Sequence, residues 1–215
     1  MTSNVSTDSM LEESPDFVSK LPEAEAANQI ITVAAWQGVT AWIALHEKNE
    51  DGVWQVRMTS PGFVGFNGIG KTVEGDMKSP KGTFHLKGAF GLADDPGCGL
   101  PYTKCDEDYY WSGDTREGMH FNELVSLKDF PDLDTEKSEH ISTYTRQYQY
   151  CLSIDYNSEG DPSKGYAIFF HCFGPKCPFT EGCISLPEAQ MKCLLERVSP
   201  DCVVVINSMD YFEKM

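Results

Sequence analysis

The chain has 215 residues, 40% of them hydrophobic and 12% aromatic, enough for one large domain and too apolar for a wholly disordered polypeptide. Thirty-three acidic residues against 17 basic ones give a net charge of −16, which opposes binding to nucleic-acid phosphates and to anionic membrane faces. No apolar run approaches the ~20 residues of a bilayer span. The N-terminal stretch also lacks the basic start and apolar run of an export signal. Nucleic acid and membrane insertion are therefore not expected.

Met1 to about Ala27 is polar and acidic and reads as a disordered N-terminal arm, with one folded domain over residues 28–215. From Gln29 the pattern turns to strands. Ile30–Trp36, Thr40–Glu47 and Val53–Thr59 are rich in β-branched and aromatic residues, and Asn49-Glu-Asp-Gly52 between the last two is a hairpin signal. Thr83–Phe90 reads as the next strand. Residues 106–140 hold eleven acidic residues against three basic ones with no regular period, which predicts a long loop or lid. Tyr148–Tyr156 and Tyr166–Cys172 return to strand patterning. Ser185-Leu-Pro-Glu188 has the form of a capping box, and Met191, Leu194, Leu195 and Val198 follow on one helical face until Pro200. Cys202–Asn207 is a closing strand. The fold class is mostly β with few helices.

Gly65-Phe-Asn-Gly-Ile-Gly-Lys-Thr72 spells a phosphate-binding P-loop. Such a loop needs a helix behind it, and Val73–Gly82 contains two glycines and a proline instead. The match is read as a coincidence.

Eight cysteines occur without a C-x-x-C pair. Cys151 and Cys202 sit in apolar runs and read as buried structural thiols. Chemistry concentrates between His171, which ends an apolar strand, and Cys183, which follows Gly182. A nucleophilic thiol needs an imidazole to take its proton and amides to hold an oxyanion. Glycine exposes such amides, and the helix predicted from Ser185 adds a favourable field for a thiolate. Spacing alone leaves a catalytic pair and a structural pair equally open. A zinc site of His171, Cys172, Cys177 and Cys183 is the rival, weakened because adjacent strand residues point to opposite faces.

These residues together resemble the L,D-transpeptidase catalytic domain family (YkuD-like) over about Gln29–Asn207. The resemblance rests on Gly70-Lys-Thr-Val-Glu-Gly-Asp-Met-Lys-Ser-Pro-Lys-Gly-Thr-Phe84, Ala167-Ile-Phe-Phe-His171 and Thr180-Glu-Gly-Cys-Ile-Ser-Leu186. Phe121-Asn122 and Asp155-Tyr-Asn157 look like further family positions. The resemblance implies a β-sandwich with the cysteine on a loop leading into a helix. It implies an acyltransferase acting on peptidoglycan stem peptides: Cys183 attacks a tetrapeptide donor, a thioester forms, and a diamino-acid side-chain amine resolves it. Water as acceptor would make the chain an L,D-carboxypeptidase, and loss of turnover would leave a peptidoglycan-binding module. His171 is then the general base, Gly182 an oxyanion donor with Cys183, and Thr180 the hydroxyl residue near the nucleophile. Cys172 and Trp111 are further candidates around oxyanion and substrate, Trp111 as part of a lid over the cleft. His120 is read as a surface histidine. No cofactor and no metal are implied. The family setting is secreted or periplasmic, although no signal is visible in this chain. A catalytic cysteine is expected to react selectively with alkylating agents near neutral pH.

Overall fold

The computed structural model describes residues 11–175 and 178–215. Strands β1 (Gln29–Ala35), β2 (Thr40–Lys48) and β3 (Trp54–Phe63) form an antiparallel meander. The β2–β3 turn is the expected one, since the Asn49 side chain accepts from the Asp51 and Val53 amides and Gly52 takes φ +81°. After β4 (Gly82–Gly91) and β5 (Tyr102–Lys104) come three short strands, β6 (Tyr109–Trp111), β7 (Leu124–Ser126) and β8 (Glu139–His140). Then follow β9 (Cys151–Ile154), β10 (Phe169–Cys172), β11 (Ile184–Leu186) and β12 (Val203–Ser208). Helices are short: α1 (Phe17–Lys20), α2 (Glu188–Leu195) and α3 (Met209–Glu213).

Mostly β with few helices is therefore the observed class. The expected sandwich of two stacked sheets is replaced by one sheet that curls on itself. Its order is β12-β1-β2-β3-β11-β10-β9-β4-β5, and β4 also pairs with β12, so eight strands close a barrel-like ring. β4 achieves closure by changing partner: Gly82–His85 pair with β12, and Leu86–Phe90 pair with β9 across a register shift. Closure leaves few free backbone groups at sheet edges.

Period-two alternation divides the strands between two environments. Ile31, Val33, Ile43, Leu45, Leu152, Phe170, Ile184, Leu186, Val204 and Ile206 fill the interior, joined by Met191, Leu194, Leu195 and Val198 of α2 and the residues after it. The outer face is covered twice. On β1 and β12, Ile30, Ala34, Val203 and Val205 are covered by Val18, Leu21, Ala24 and Phe212. On β9 and β10, Cys151 and Phe169 are covered by Trp111, Ile141 and Tyr148.

Two expectations change. Residues 11–27 are not a disordered arm: their apolar residues at 18, 21, 24 and 27 are buried, and the Ser14 hydroxyl bonds His46 Nδ1 at 2.9 Å. Thr32 holds the other nitrogen of His46 at 3.2 Å, and burial lowers that histidine to about 4. Residues 1–10, the rest of the arm, lie outside the described residues. Residues 106–140 likewise form no bare solvated loop. β6, β7 and β8 make a small sheet in the order β7-β6-β8, and its acidic surplus is partly used internally, as in the ion pairs Arg116–Asp114 and Lys128–Asp106.

The capping box at Ser185 is also absent. Ser185 lies in β11, buried between Phe63 and His171, and helix α2 starts at Glu188 with Pro187 at its N-cap. Pairing on both sides of β11 outweighs the local capping preference. The helix ends at Leu195, before Pro200. Gly65–Thr72 is an irregular loop with no helix behind it. The Thr72, Val73 and Lys78 amides that face into it bind the Asp76 carboxylate.

Candidate active site

β10 and β11 run parallel with Phe170 opposite Ile184, His171 opposite Ser185 and Cys172 opposite Leu186. That register puts His171 and Ser185 on the outer face and Cys172 in the interior. Cys183 immediately precedes β11 and joins the outer cluster with Phe169. A cavity of about 510 Å³ opens there, lined by His171, Cys183, Gly182, Thr180 and Ser185 together with the 71–77 loop and the segment 139–148. Four of the six residues singled out from sequence thus meet in one cleft.

The Cys183 turn is fixed from behind. Its carbonyl accepts from the hydroxyls of Thr180 at 2.6 Å and Ser79 at 2.9 Å. The Gly182 amide donates to Thr180 Oγ1 at 3.2 Å, so it is spent on the turn and is not the free oxyanion donor expected for it. Gly182 has φ +152°, and a Cβ there would lie 2.8 Å from Ile168 Cδ1. The positive φ favours glycine at this position, whereas the Ile168 tip could give way.

His171 Nδ1 lies 2.8 Å from the Cys172 carbonyl. A carbonyl only accepts, so Nδ1 carries the hydrogen and Nε2 of the neutral ring carries the lone pair. Burial lowers this histidine to about 4, opposed by the same hydrogen bond. The Cys183 thiol donates to the Ala167 carbonyl at 3.1 Å. Burial pushes that thiol far above its ordinary range and the Glu139 charge adds to the push, while a Phe169 backbone hydrogen bond and the Lys71 ammonium act against it. Burial thus favours the uncharged form of both the thiol and the imidazole that line this cleft.

Ala167 itself has φ +57°, a conformation that costs about 1–2 kcal/mol for a residue with a side chain. It is held there by Asn122, whose Oδ1 accepts from the Ala167 amide at 3.0 Å and from Trp111 Nε1 at 2.9 Å. Asn122 Nδ2 donates to the carbonyls of Tyr156 and Asn157. Trp111 is therefore no lid over substrate. It is buried, packed on Phe90 and Phe169, and acts on the cleft through Asn122 and Ala167.

Cys172 is likewise misplaced as a site residue. Its thiol points into the barrel, donates to the Tyr150 carbonyl and is pushed up to about 12 by burial. The same geometry breaks the zinc alternative, since His171 and Cys172 face opposite sides of β10 and do not converge on one ion. Cys177, its other member, lies outside the described residues. Cys151 and Cys202 are buried thiols, as expected. His120 sits at the surface, paired with Glu123 at 2.9 Å.

Sequence reasoning missed Glu139 and Tyr148. The Tyr148 hydroxyl donates to Glu139 Oε1 at 2.5 Å, its ring stands edge-on to His171 at 5.5 Å, and both residues line the cleft. Burial raises the Glu139 carboxyl to about 7, partly opposed by the Tyr148 bond. A two-residue strand has no readable period, so no sequence signal marked it. Lys71 was within a recognised block but had no assigned role; its side chain is almost wholly buried and pairs with Asp76 at 3.2 Å.

No family model matches the chain, and no curated protein matches it in sequence. Among solved structures, it is similar to the helical cell shape determining protein Pgp2 from Campylobacter jejuni, with a TM-score of 0.46 and 15% identity over 89% of this chain and 54% of that one. A lysine-to-alanine variant of the same protein gives a TM-score of 0.45 and 14% identity over 89% of this chain and 53% of that one. The chain spans about half the length of these structures.

Proposed function

We propose that this protein is a cysteine acyltransferase of the L,D-transpeptidase type, working on peptidoglycan stem peptides, with residues 28–215 as its catalytic domain. The observation that carries the reading is the tautomer of His171: Nδ1–H is tied to the Cys172 carbonyl, so Nε2 keeps the lone pair, and His171 and Cys183 line the same cleft. The substrate class comes from the sequence resemblance.

In this reading Nε2 takes the thiol proton as Sγ attacks the substrate carbonyl. The thiol leaves its hydrogen bond to Ala167 to do so. Gly182 is engaged by Thr180, so this reading assigns the oxyanion to the Cys183 amide. Collapse breaks the amide bond, and His171 hands its proton to the departing amine. The product is a thioester on Cys183, ready for an amine or water.

Incubation with a disaccharide-tetrapeptide, read by mass, tests this. A cross-linked dimer identifies transpeptidation, a tripeptide identifies carboxypeptidation, and an unchanged substrate with no protein adduct refutes both. Cys183→Ala should abolish turnover and adduct together, and His171→Ala should slow both by about 10³ or more.

A further inference from the structure

We propose that Glu139 is a catalytic residue of the second half-reaction, holding the ammonium of an incoming primary aliphatic amine and taking one proton from it. This rests on the thioester reading above. Acylation gives Glu139 no task, since the thiol proton goes to His171. Yet the carboxyl shares the cleft with Cys183 and His171. Tyr148 secures Oε1, and Oε2 makes no hydrogen bond among the described residues.

The surrounding charge fits a cation. Glu74 and Glu181 line the same cavity. Lys71, the lysine among the described lining residues, is already bonded to Asp76 and to the Val73 carbonyl. Among the described residues no basic side chain pairs with Glu139. Three carboxylates against one engaged ammonium leave a negative field beside the thiol, and an arriving ammonium neutralises it.

The chemistry balances. An alkylammonium gives one proton to Glu139 Oε2, which frees the nitrogen lone pair. Nitrogen attacks the thioester carbon, and its second proton passes to His171 Nε2. The C–S bond breaks, and sulfur leaves with the proton from His171. The proton on Glu139 then exchanges with solvent. An uncharged nucleophile would need no such help.

The test reads how the acyl-enzyme divides between nucleophile and water, a ratio independent of how fast it forms. The donor is the disaccharide-tetrapeptide. The two nucleophiles are Nα-acetyl-lysinamide, cationic at neutral pH, and hydroxylamine, uncharged there. In Glu139→Gln, transfer to the lysinamide relative to hydrolysis should fall about tenfold or more, while transfer to hydroxylamine should stay within about twofold. Glu139→Asp, which keeps the charge, should retain lysinamide transfer to within about threefold. Circular dichroism checks folding, and Glu139→Ser replaces a Gln variant that fails it. Equal loss for both nucleophiles, or no loss for either, overturns the assignment. A wild-type protein that forms no acyl-enzyme overturns the functional reading and this inference with it, whereas an acyl-enzyme with an unmoved ratio overturns only the inference.

Discussion

Burial sets the chemistry of individual residues in this cleft more strongly than neighbouring charge does. Cys183 and His171 rest uncharged, unlike a preformed thiolate–imidazolium pair, so the thiol is guarded until substrate draws it from Ala167. Iodoacetamide should therefore modify Cys183 slowly at pH 7 and much faster toward alkaline pH, contrary to the reactivity expected from sequence. Mass mapping of the alkylated peptide against pH checks this, and full labelling at pH 7 within the time of a free thiol would contradict it. Cys172→Ala should leave turnover within about tenfold, because that thiol faces the barrel interior. That His171, Gly182, Cys183 and Thr180 lie in one cleft follows signals present in the sequence: a strand end and a glycine turn marked the first three, and the family resemblance added Thr180. Glu139 and Tyr148 were not legible, because only the tertiary packing of the 106–148 segment carries them to the cleft.

At the scale of elements, the segment after β5 supports the cleft from behind at Trp111 and Asn122 and lines it at Glu139 and Tyr148. Trp111, Asn122 and Ala167 form a hydrogen-bonded chain that ends at the Cys183 thiol. Asn122→Ala removes a side chain with four such bonds and strands buried partners, a loss of about 2–4 kcal/mol by denaturant unfolding. Trp111→Ala should cost about 3–5 kcal/mol through the void it leaves against Phe90 and Phe169. A Trp111→Ala protein of unchanged stability with altered substrate KM would restore the lid. The long strands β1 to β4 and β12 were legible because β-branched residues and turn signals agree along them. The end of β11 was not: Ser185-Leu-Pro-Glu188 satisfies a local helix rule, and two neighbouring strands override it. The order of residues 11–27 was hidden too, since their sparse apolar residues gain meaning only against Ile30 and Phe212.

For the whole molecule, the buried titrating groups fix a pH window. His46 and His171 are both held near about 4, below the ordinary 6.5, so the unfolded chain binds their protons first as pH falls. Their contribution is complete above about pH 6.5 and is lost on acidification toward pH 4. Glu139, raised to about 7, acts oppositely, because the folded state takes its proton first between pH 7 and 4.5. Two histidines against one carboxyl leave a net loss of about 1.4 kcal/mol per pH unit between about pH 6.5 and 4.5. At the alkaline end the raised thiols of Cys105, Cys151, Cys172, Cys183 and Cys202 keep protons that the unfolded chain releases. Stability should therefore also fall as pH rises past about 9. Unfolding midpoints from pH 4 to 10 should trace a plateau with both flanks falling, and a flat acid flank would show that the two histidines are not buried neutral.

Ring closure through β12 also has a consequence in time. β12 joins β1, parallel and more than 170 positions earlier in the chain, and at the same time takes the first half of β4. Ribosomal synthesis delivers it after every other strand of the ring. Until Val203–Ser208 have emerged, β1 and the first half of β4 each present an unpaired edge, and the strand bearing His171 and the one that follows Cys183 belong to an open sheet. Nascent chains stalled before residue 203 should thus be protease-sensitive along their whole length, and protection should arrive in one step once β12 clears the exit tunnel.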